Sequence, residues 1–198
     1  MIKNVVFDVG NVILKGLPCN ILNDLDLDSD MKKEIQEKFF CNWEELDLGL
    51  VTLKEFFDKC NFSFEISNDL KDKLVNCYKY REFNKDIINL IHILKINNYN
   101  VYILSNNNYD TVDYLRSLDF YKDIDGDCFS CFYHVAKPDK EIYEILINKY
   151  NLDVSCSLFI DDNQKNIDIA KELGFVTKMY DYSNNNFINS LNDIYFKM

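Results

Sequence analysis

The chain has 198 residues, 47% of them hydrophobic and 28% charged, with a net charge of −11. That length holds one compact domain, or one domain carrying a modest insertion, with the composition of an ordinary globular protein. The charge argues against a nucleic-acid partner, because only two arginines occur (Arg81 and Arg116) and no basic cluster is dense enough to neutralise a run of phosphates.

In chain order, Ile2-Lys3-Asn4-Val5-Val6-Phe7 is rich in β-branched residues and closes at Asp8 and Gly10, which predicts a buried parallel strand. The apolar stretch Met1–Leu14 is interrupted by Asp8 and Asn11 and no small-residue cleavage site follows, so it reads as strand and turn and not as a signal peptide. No segment reaches the roughly 18 apolar residues of a membrane span, so no membrane partner is expected. From Lys15 to Tyr80 the pattern turns helical. Met31, Ile35, Phe39 and Trp43 recur every four residues, Thr52 with Glu55 forms a capping box before Leu53, Phe56 and Phe57, and Leu70, Leu74 and Tyr78 mark a third helix. The acidic run Asp24-Leu25-Asp26-Leu27-Asp28 lacks the glycine and glutamate that a calcium loop needs at its sixth and twelfth positions, where Ser29 and Ile35 stand. It is expected to form a solvated turn capping the helix near Met31.

Beyond Tyr80, strands and helices alternate. Asp86–Ile96 carries Ile87, Leu90, Ile91 and Leu94 at helical spacing; Tyr99–Leu104 predicts a strand that stops at Ser105. Cys128-Phe-Ser-Cys-Phe-Tyr133 reads as a further strand, on which Cys128 and Cys131 would point to opposite faces and could not share a metal. Pro138 suits a helix start before Ile142, Ile145 and Leu146; Cys156–Ile160 predicts a strand ending at Asp161-Asp162; Gly174 looks like a helix cap before a last strand, Phe175–Tyr180. The expected architecture is α/β: a doubly wound, parallel-sheet Rossmann-like core over 1–14 and 81–198, with a small helical-bundle cap over 15–80 inserted after the first strand. Seven irregularly spaced cysteines without an export signal read as reduced thiols of a cytoplasmic protein. His92 falls in an amphipathic helix and His134 in a loop, and neither needs a catalytic role. No feature specifies an oligomeric state.

In an open parallel sheet, ligands bind beyond the carboxyl ends of the strands. Those ends carry Asp8, Ser105 and Asp161-Asp162, with Lys137 before a helix: a carboxylate nucleophile, a hydroxyl, an ammonium and metal-binding carboxylates, the inventory of phosphoryl transfer. Phe7-Asp8-Val9-Gly10-Asn11-Val12 resembles the first motif of the haloacid dehalogenase (HAD) superfamily, above all its glucose-1-phosphate-phosphatase-like branch. Ile103-Leu104-Ser105-Asn106 resembles the second motif, Ala136-Lys137-Pro138-Asp139 with Ile142-Tyr143 the lysine motif, and Phe159-Ile160-Asp161-Asp162-Asn163 through Asn166 the acidic motif. Trp43-Glu44-Glu45-Leu46-Asp47-Leu48-Gly49 is similar to a stretch of the family's small helical cap.

The resemblance implies a cytoplasmic Mg²⁺-dependent phosphatase acting on a small phosphorylated metabolite such as a sugar phosphate. Asp8 would attack phosphorus and become an aspartyl-phosphate. Its other oxygen, the main-chain carbonyl of Gly10 and the carboxylate of Asp162 would hold Mg²⁺, with Asp161 accepting from the metal-bound waters and Asn166, four residues beyond Asp162, orienting it. Ser105 and the amide of Asn106 would bind a phosphoryl oxygen, and Lys137 would neutralise the same charge.

Gly10 departs from the pattern, because most phosphatases of the superfamily carry there a second Asp that serves as general acid and base. The implied consequence is a leaving group that needs little help, or proton transfer through water or the substrate. Three other readings compete. A metal-independent 2-haloacid dehalogenase also lacks that Asp but has no use for Asp161-Asp162. A receiver domain places its acidic pair at the first strand and has no room for the insertion. A catalytically inactive phospho-ligand-binding relative would keep the fold without the turnover.

Overall fold

A computed structural model describes residues 1–181 and 187–192; the remainder of the expected 81–198 core segment lies outside the described residues. Five strands form one sheet in the order β3-β2-β1-β4-β5, and every pairing is parallel: β1 (Asn4–Phe7), β2 (Asn100–Ser105), β3 (Gly126–Phe129), β4 (Ser157–Asp161) and β5 (Val176–Met179). Alternation along the strands divides the core between the two faces. Val5, Phe7, Val101, Ile103, Leu158 and Ile160 face one hydrophobic cluster, and Val6, Tyr102, Leu104 and Phe159 face the other. Such strands read as continuous apolar runs because both faces are covered.

Between β1 and β2 lie four short helices, α1 (Ser29–Ile35), α2 (Glu44–Asp47), α3 (Leu53–Lys59) and α4 (Asn68–Val75), and then α5 (Lys85–Ile96). α6 (Tyr109–Arg116) follows β2, α7 (Lys140–Tyr150) precedes β4, α8 (Gln164–Glu172) links β4 to β5, and α9 (Phe187–Asn192) comes last. α5, α6 and α9 cover the first face and α7 and α8 the second. Among the described residues no helix is long and apolar enough to cross a membrane.

The segment between β1 and α5 has a hydrophobic cluster of its own, built from Leu22, Ile35, Phe39, Leu46, Leu53, Phe57, Leu70 and Leu74. Its outgoing and returning connections run side by side: Leu14 bridges Phe83 in antiparallel fashion, Lys15 N donates to Glu82 O at 2.8 Å, and the Arg81 guanidinium donates to the carbonyls of Leu14 and Gly16. The acidic run before α1 ends in a cap, Asp28 accepting from Met31 N at 2.8 Å, and Thr52 and Glu55 form the reciprocal capping box of α3.

Three expectations need correction. The repeat from Met31 to Trp43 is not one α-helix: α1 ends at Ile35, a π turn continues over Gln36–Phe40, and Trp43 lies beyond it with its indole N–H on Phe39 O. Pro138 precedes α7 by two residues, and Asp139 caps that helix through Glu141 N at 3.0 Å. The third strand begins at Gly126 and has ended by Ser130, where a 3₁₀ turn holds Cys131. Gly126 is needed because a Cβ there would fall 2.3 Å from the Tyr150 ring. Cys128 and Cys131 still face different clusters, and burial pushes both thiols up to about 12, as befits structural cysteines.

Phe39 is fully buried, with the rings of Phe40, Phe56, Phe57 and Trp43 around it at centroid distances of 4.8, 5.9, 5.7 and 6.1 Å. Phe39→Ala is expected to lower the unfolding free energy by about 3–5 kcal/mol. A urea titration followed by fluorescence of Trp43, the single tryptophan, reads this directly. A loss below about 1 kcal/mol, the scale of a well-tolerated core substitution, would mean that the cluster does not close around this ring.

Candidate active site

Strand register brings the polar ends together. Phe7 pairs with Ile103 on one side and Ile160 on the other, so the residues that follow, Asp8 and Asp161, emerge side by side at the carboxyl end of the sheet. Asp8 N donates to Ile160 O at 2.9 Å, which fixes the backbone from which the Asp8 carboxylate projects.

Lys137 lies between the two carboxylates. Its Nζ is 2.8 Å from Asp8 Oδ1 and 2.6 Å from Asp161 Oδ2, and the ammonium side chain is 2% exposed. Burial alone would lower the lysine's pKa, but the Asp8 and Asp161 charges outweigh it and hold the pKa above its ordinary value. Burial pushes Asp8 in the opposite sense from an ordinary surface carboxylate, up to about 6, against the pull of Lys137 and with a further push from Asp161.

The two acidic neighbours differ sharply. Asp161 is fully buried and fully partnered: besides Lys137 it accepts from Asn163 N at 2.8 Å and from Asn166 Nδ2 at 3.0 and 3.1 Å. Asn166 is itself held by the Tyr143 hydroxyl on its carbonyl at 3.1 Å. Asp162 instead lines an open cavity of about 470 Å³ together with Asp8, Gly10, Ser105, Asn106 and Lys137, where Asn11 Nδ2 donates to its Oδ2 at 2.8 Å. Asn11 reaches it from a left-handed backbone (φ 54°), a conformation that asparagine tolerates better than most residues.

Oxygens of Asp8, Asp161 and Asp162 lie within 4.8 Å of one another. All are hard donors, and three carboxylates against one ammonium leave two negative charges to balance. That donor set suits a divalent cation such as Mg²⁺ and offers nothing to a soft metal. Asp161 is saturated and does not line the cavity, whereas Asp8 and Asp162 do, together with Gly10.

Ser105 and Asn106 line the same cavity. The Ser105 hydroxyl approaches Asp8 and accepts from Asn107 Nδ2 at 3.0 Å. Asn106 does something the sequence did not suggest: its side-chain amide clasps the Lys137 backbone, accepting from Lys137 N at 2.8 Å and donating to Lys137 O at 2.9 Å. Gly10 is not forced by packing, because a Cβ there would meet only Asp8 Oδ2, at 3.9 Å. Asp47 was also missed. It stands on α2, in the stretch that resembles the family's cap, and lines a second cleft that includes Asn106 and Lys137.

Comparison with known proteins shows the family. Residues 2–174 match the haloacid dehalogenase-like hydrolases, and the chain belongs to that family. A D-ribitol-5-phosphate phosphatase of Bacteroides thetaiotaomicron is 32% identical over 197 residues, 89% of this chain and 91% of that protein. Among solved structures, a HAD family enzyme of Bacteroides thetaiotaomicron in complex with magnesium and inorganic phosphate superposes with a TM-score of 0.74 at 22% identity, covering 96% of this chain and 99% of that one. The L-2-haloacid dehalogenase of Xanthobacter autotrophicus gives 0.67 at 16% identity, covering 96% of this chain and 81% of that one. Both structural likenesses establish the fold.

Lys137→Met would leave two buried carboxylates facing each other without their shared cation. It is expected to cost about 3–5 kcal/mol of stability at neutral pH, the usual effect of removing one partner of a buried pair. Urea denaturation checks this. A change under about 1 kcal/mol, typical of a surface ion pair, would show that the trio is solvated in solution.

Proposed function

We propose that this hydrolase is a Mg²⁺-dependent phosphatase of a small phosphorylated polyol or sugar, working through an aspartyl-phosphate at Asp8. The observation that carries the reading is the Lys137-bridged Asp8 carboxylate beside the cavity-facing Asp162. The 32% identity to a D-ribitol-5-phosphate phosphatase supports a sugar-alcohol or sugar phosphate as the ester.

Asp8, the Gly10 carbonyl and Asp162 would hold the cation. When bound, it supplies charge neutralisation at the phosphoryl oxygens and a fixed orientation of the group. The chain's own residues do the rest. One Asp8 oxygen attacks phosphorus while Lys137, anchored by Asn106, lies beside the equatorial oxygens where negative charge gathers. Ser105 and the Asn106 amide donate to a phosphoryl oxygen. Asp161, saturated by Lys137, Asn163 and Asn166, is a positioning residue. Residues 15–80 act as the cap that covers the leaving group and selects it. The seven thiols, none in a disulfide, fit a cytoplasmic setting.

The dehalogenase reading is disfavoured by the same acidic pair: carbon attack without a metal gives Asp162 no task. An inactive relative would have no reason to keep Lys137 and Asp161 so completely partnered beside an Asp8 that lines the cavity. Release of phosphate from D-ribitol 5-phosphate and related esters, with and without EDTA, tests the proposal. Activity is expected to vanish with EDTA and return with Mg²⁺. Asp8→Asn, isosteric with the native side chain, is expected to fall below about a hundredth of wild-type kcat, as loss of a nucleophile does. EDTA-resistant turnover, or an active Asp8→Asn, would overturn it.

A further inference from the structure

An alkoxide leaves a phosphate ester poorly unless a proton reaches its bridging oxygen, and Gly10 has none to give. We infer that Asp47, delivered from α2, is the catalytic acid and base of the reaction, an assignment that rests on the phosphatase reading of Asp8. The cleft at Asp47 has a volume of about 330 Å³, with Trp43, Asp47 and Leu48 on one wall and Asn106 and Lys137 on the other. Asn106 and Lys137 also line the Asp8 cavity. A phosphoryl group resting on those two residues therefore adjoins both the cavity that holds Asp8 and the cleft that holds Asp47, and in the inferred reaction the leaving group departs into that cleft, in line with Asp8.

Asp47 is held there from both directions. Leu46 is fully buried in the helical segment's own cluster. Gly49, with φ of 66°, lies so close to the loop after β3 that a Cβ would meet Cys131 O at 2.3 Å. His134 Nδ1 donates to Leu48 O at 2.7 Å, and Leu53 N donates to Asp110 Oδ2 at 3.0 Å. Among the described residues none donates a hydrogen bond or an ion pair to the Asp47 carboxylate, so a structural role for it has no visible partner. Burial, reinforced by the Asp8 charge and opposed by Lys137, pushes the carboxyl up to about 7. The other titratable groups around it are Glu44 on its own helix and Tyr109, Asp110, Cys131 and His134 across the seam. A carboxyl that titrates near neutrality can give a proton and take one back in the same turnover.

The chemistry balances. As the Asp8–phosphorus bond forms and the bond to the ester oxygen breaks, that oxygen takes the departing electron pair and the Asp47 proton, leaving as alcohol. Water then attacks the aspartyl-phosphate, Asp47 takes its proton, and the Asp8–phosphorus bond breaks to release inorganic phosphate and both starting residues.

The test is kcat/KM of wild type and Asp47→Asn across monophosphates without further hydroxyls, graded in alcohol acidity from propyl through trifluoroethyl to p-nitrophenyl. Wild type is expected to vary little. Asp47→Asn is expected to lose about 10²–10⁴-fold on propyl phosphate, the usual worth of general acid catalysis, and under about tenfold on p-nitrophenyl phosphate. An equal loss across the series, or none, would overturn the role of Asp47 while leaving the phosphatase reading intact. A wild type that turns over no member of the series would overturn both.

Discussion

A buried ammonium shared by two carboxylates is the constraint around which this molecule is arranged. Lys137 touches Asp8 and Asp161 at the ends of adjacent strands, and all three groups are withdrawn from water. An isolated charge in that environment would cost several kcal/mol, so each group is tolerable only while the others hold position. The surrounding polar contacts meet that demand. Asn163 and Asn166 complete Asp161, Asn106 fixes the Lys137 backbone, and the Tyr143 hydroxyl steadies Asn166. Burial and the Asp161 charge still hold Asp8 above the ordinary carboxylate range, and beside it Asp162 lines the open cavity with an oxygen suited to a hard cation.

The sheet supplies this arrangement through its strand order. β1 lies at the centre with β2 on one side and β4 on the other, so the chain must reverse direction of winding there, and the strand ends splay into a crevice. Every catalytic candidate except Asp47 stands on a strand end or on the loop just after one. Asn163 caps α8, so the acidic pair is joined directly to a helix whose Ile167 and Ala170 are seated in the core. Rigid packing thus fixes the carboxylates to the precision that in-line attack requires.

Much of this was legible from residue order because β1, β2 and β4 are covered on both faces and read as unbroken apolar runs, each closing on a polar residue. What was misread has a local physical cause. β3 starts with Gly126 and Asp127, poor strand formers, and is held by the Tyr150 hydroxyl bridging Asp127 N and O, at 2.9 and 3.0 Å. The helix expected through Trp43 breaks because a π turn shifts the four-residue repeat, and no propensity marks such a turn. Likewise, Asn106 was legible as an amide near phosphate but not as the clasp on Lys137, which depends on a loop brought in from beyond β3. Asp47 carried no signal of its own: one acid among several on a short helix becomes distinctive only when folding sets it opposite Lys137.

That placement changes what Gly10 means. Read along the chain, a glycine two residues after the nucleophile is a missing acid. In the fold it leaves space beside Asp8 Oδ2, and the cleft that shares Asn106 and Lys137 with the Asp8 cavity is lined by a carboxyl from another element. The inferred acid stands not on the strand that carries the nucleophile but in a segment with a separate hydrophobic cluster. The distance between acid and nucleophile is then set by contacts that tie the two parts together: the close approach of Gly49 to Cys131, His134 to Leu48 and Asp110 to Leu53. Contacts between side chains and loops carry that geometry, whereas Asp8 is fixed by the strand that carries it and Lys137 by the Asn106 clasp at the end of β2. Since a displacement of about 1 Å can cost two orders of magnitude in rate, the seam between the two clusters governs proton transfer more than it governs phosphorus attack. A leaving group that packs well between Trp43 and Lys137 would hold that seam together, so the same residues that recognise the alcohol would also bring it its proton.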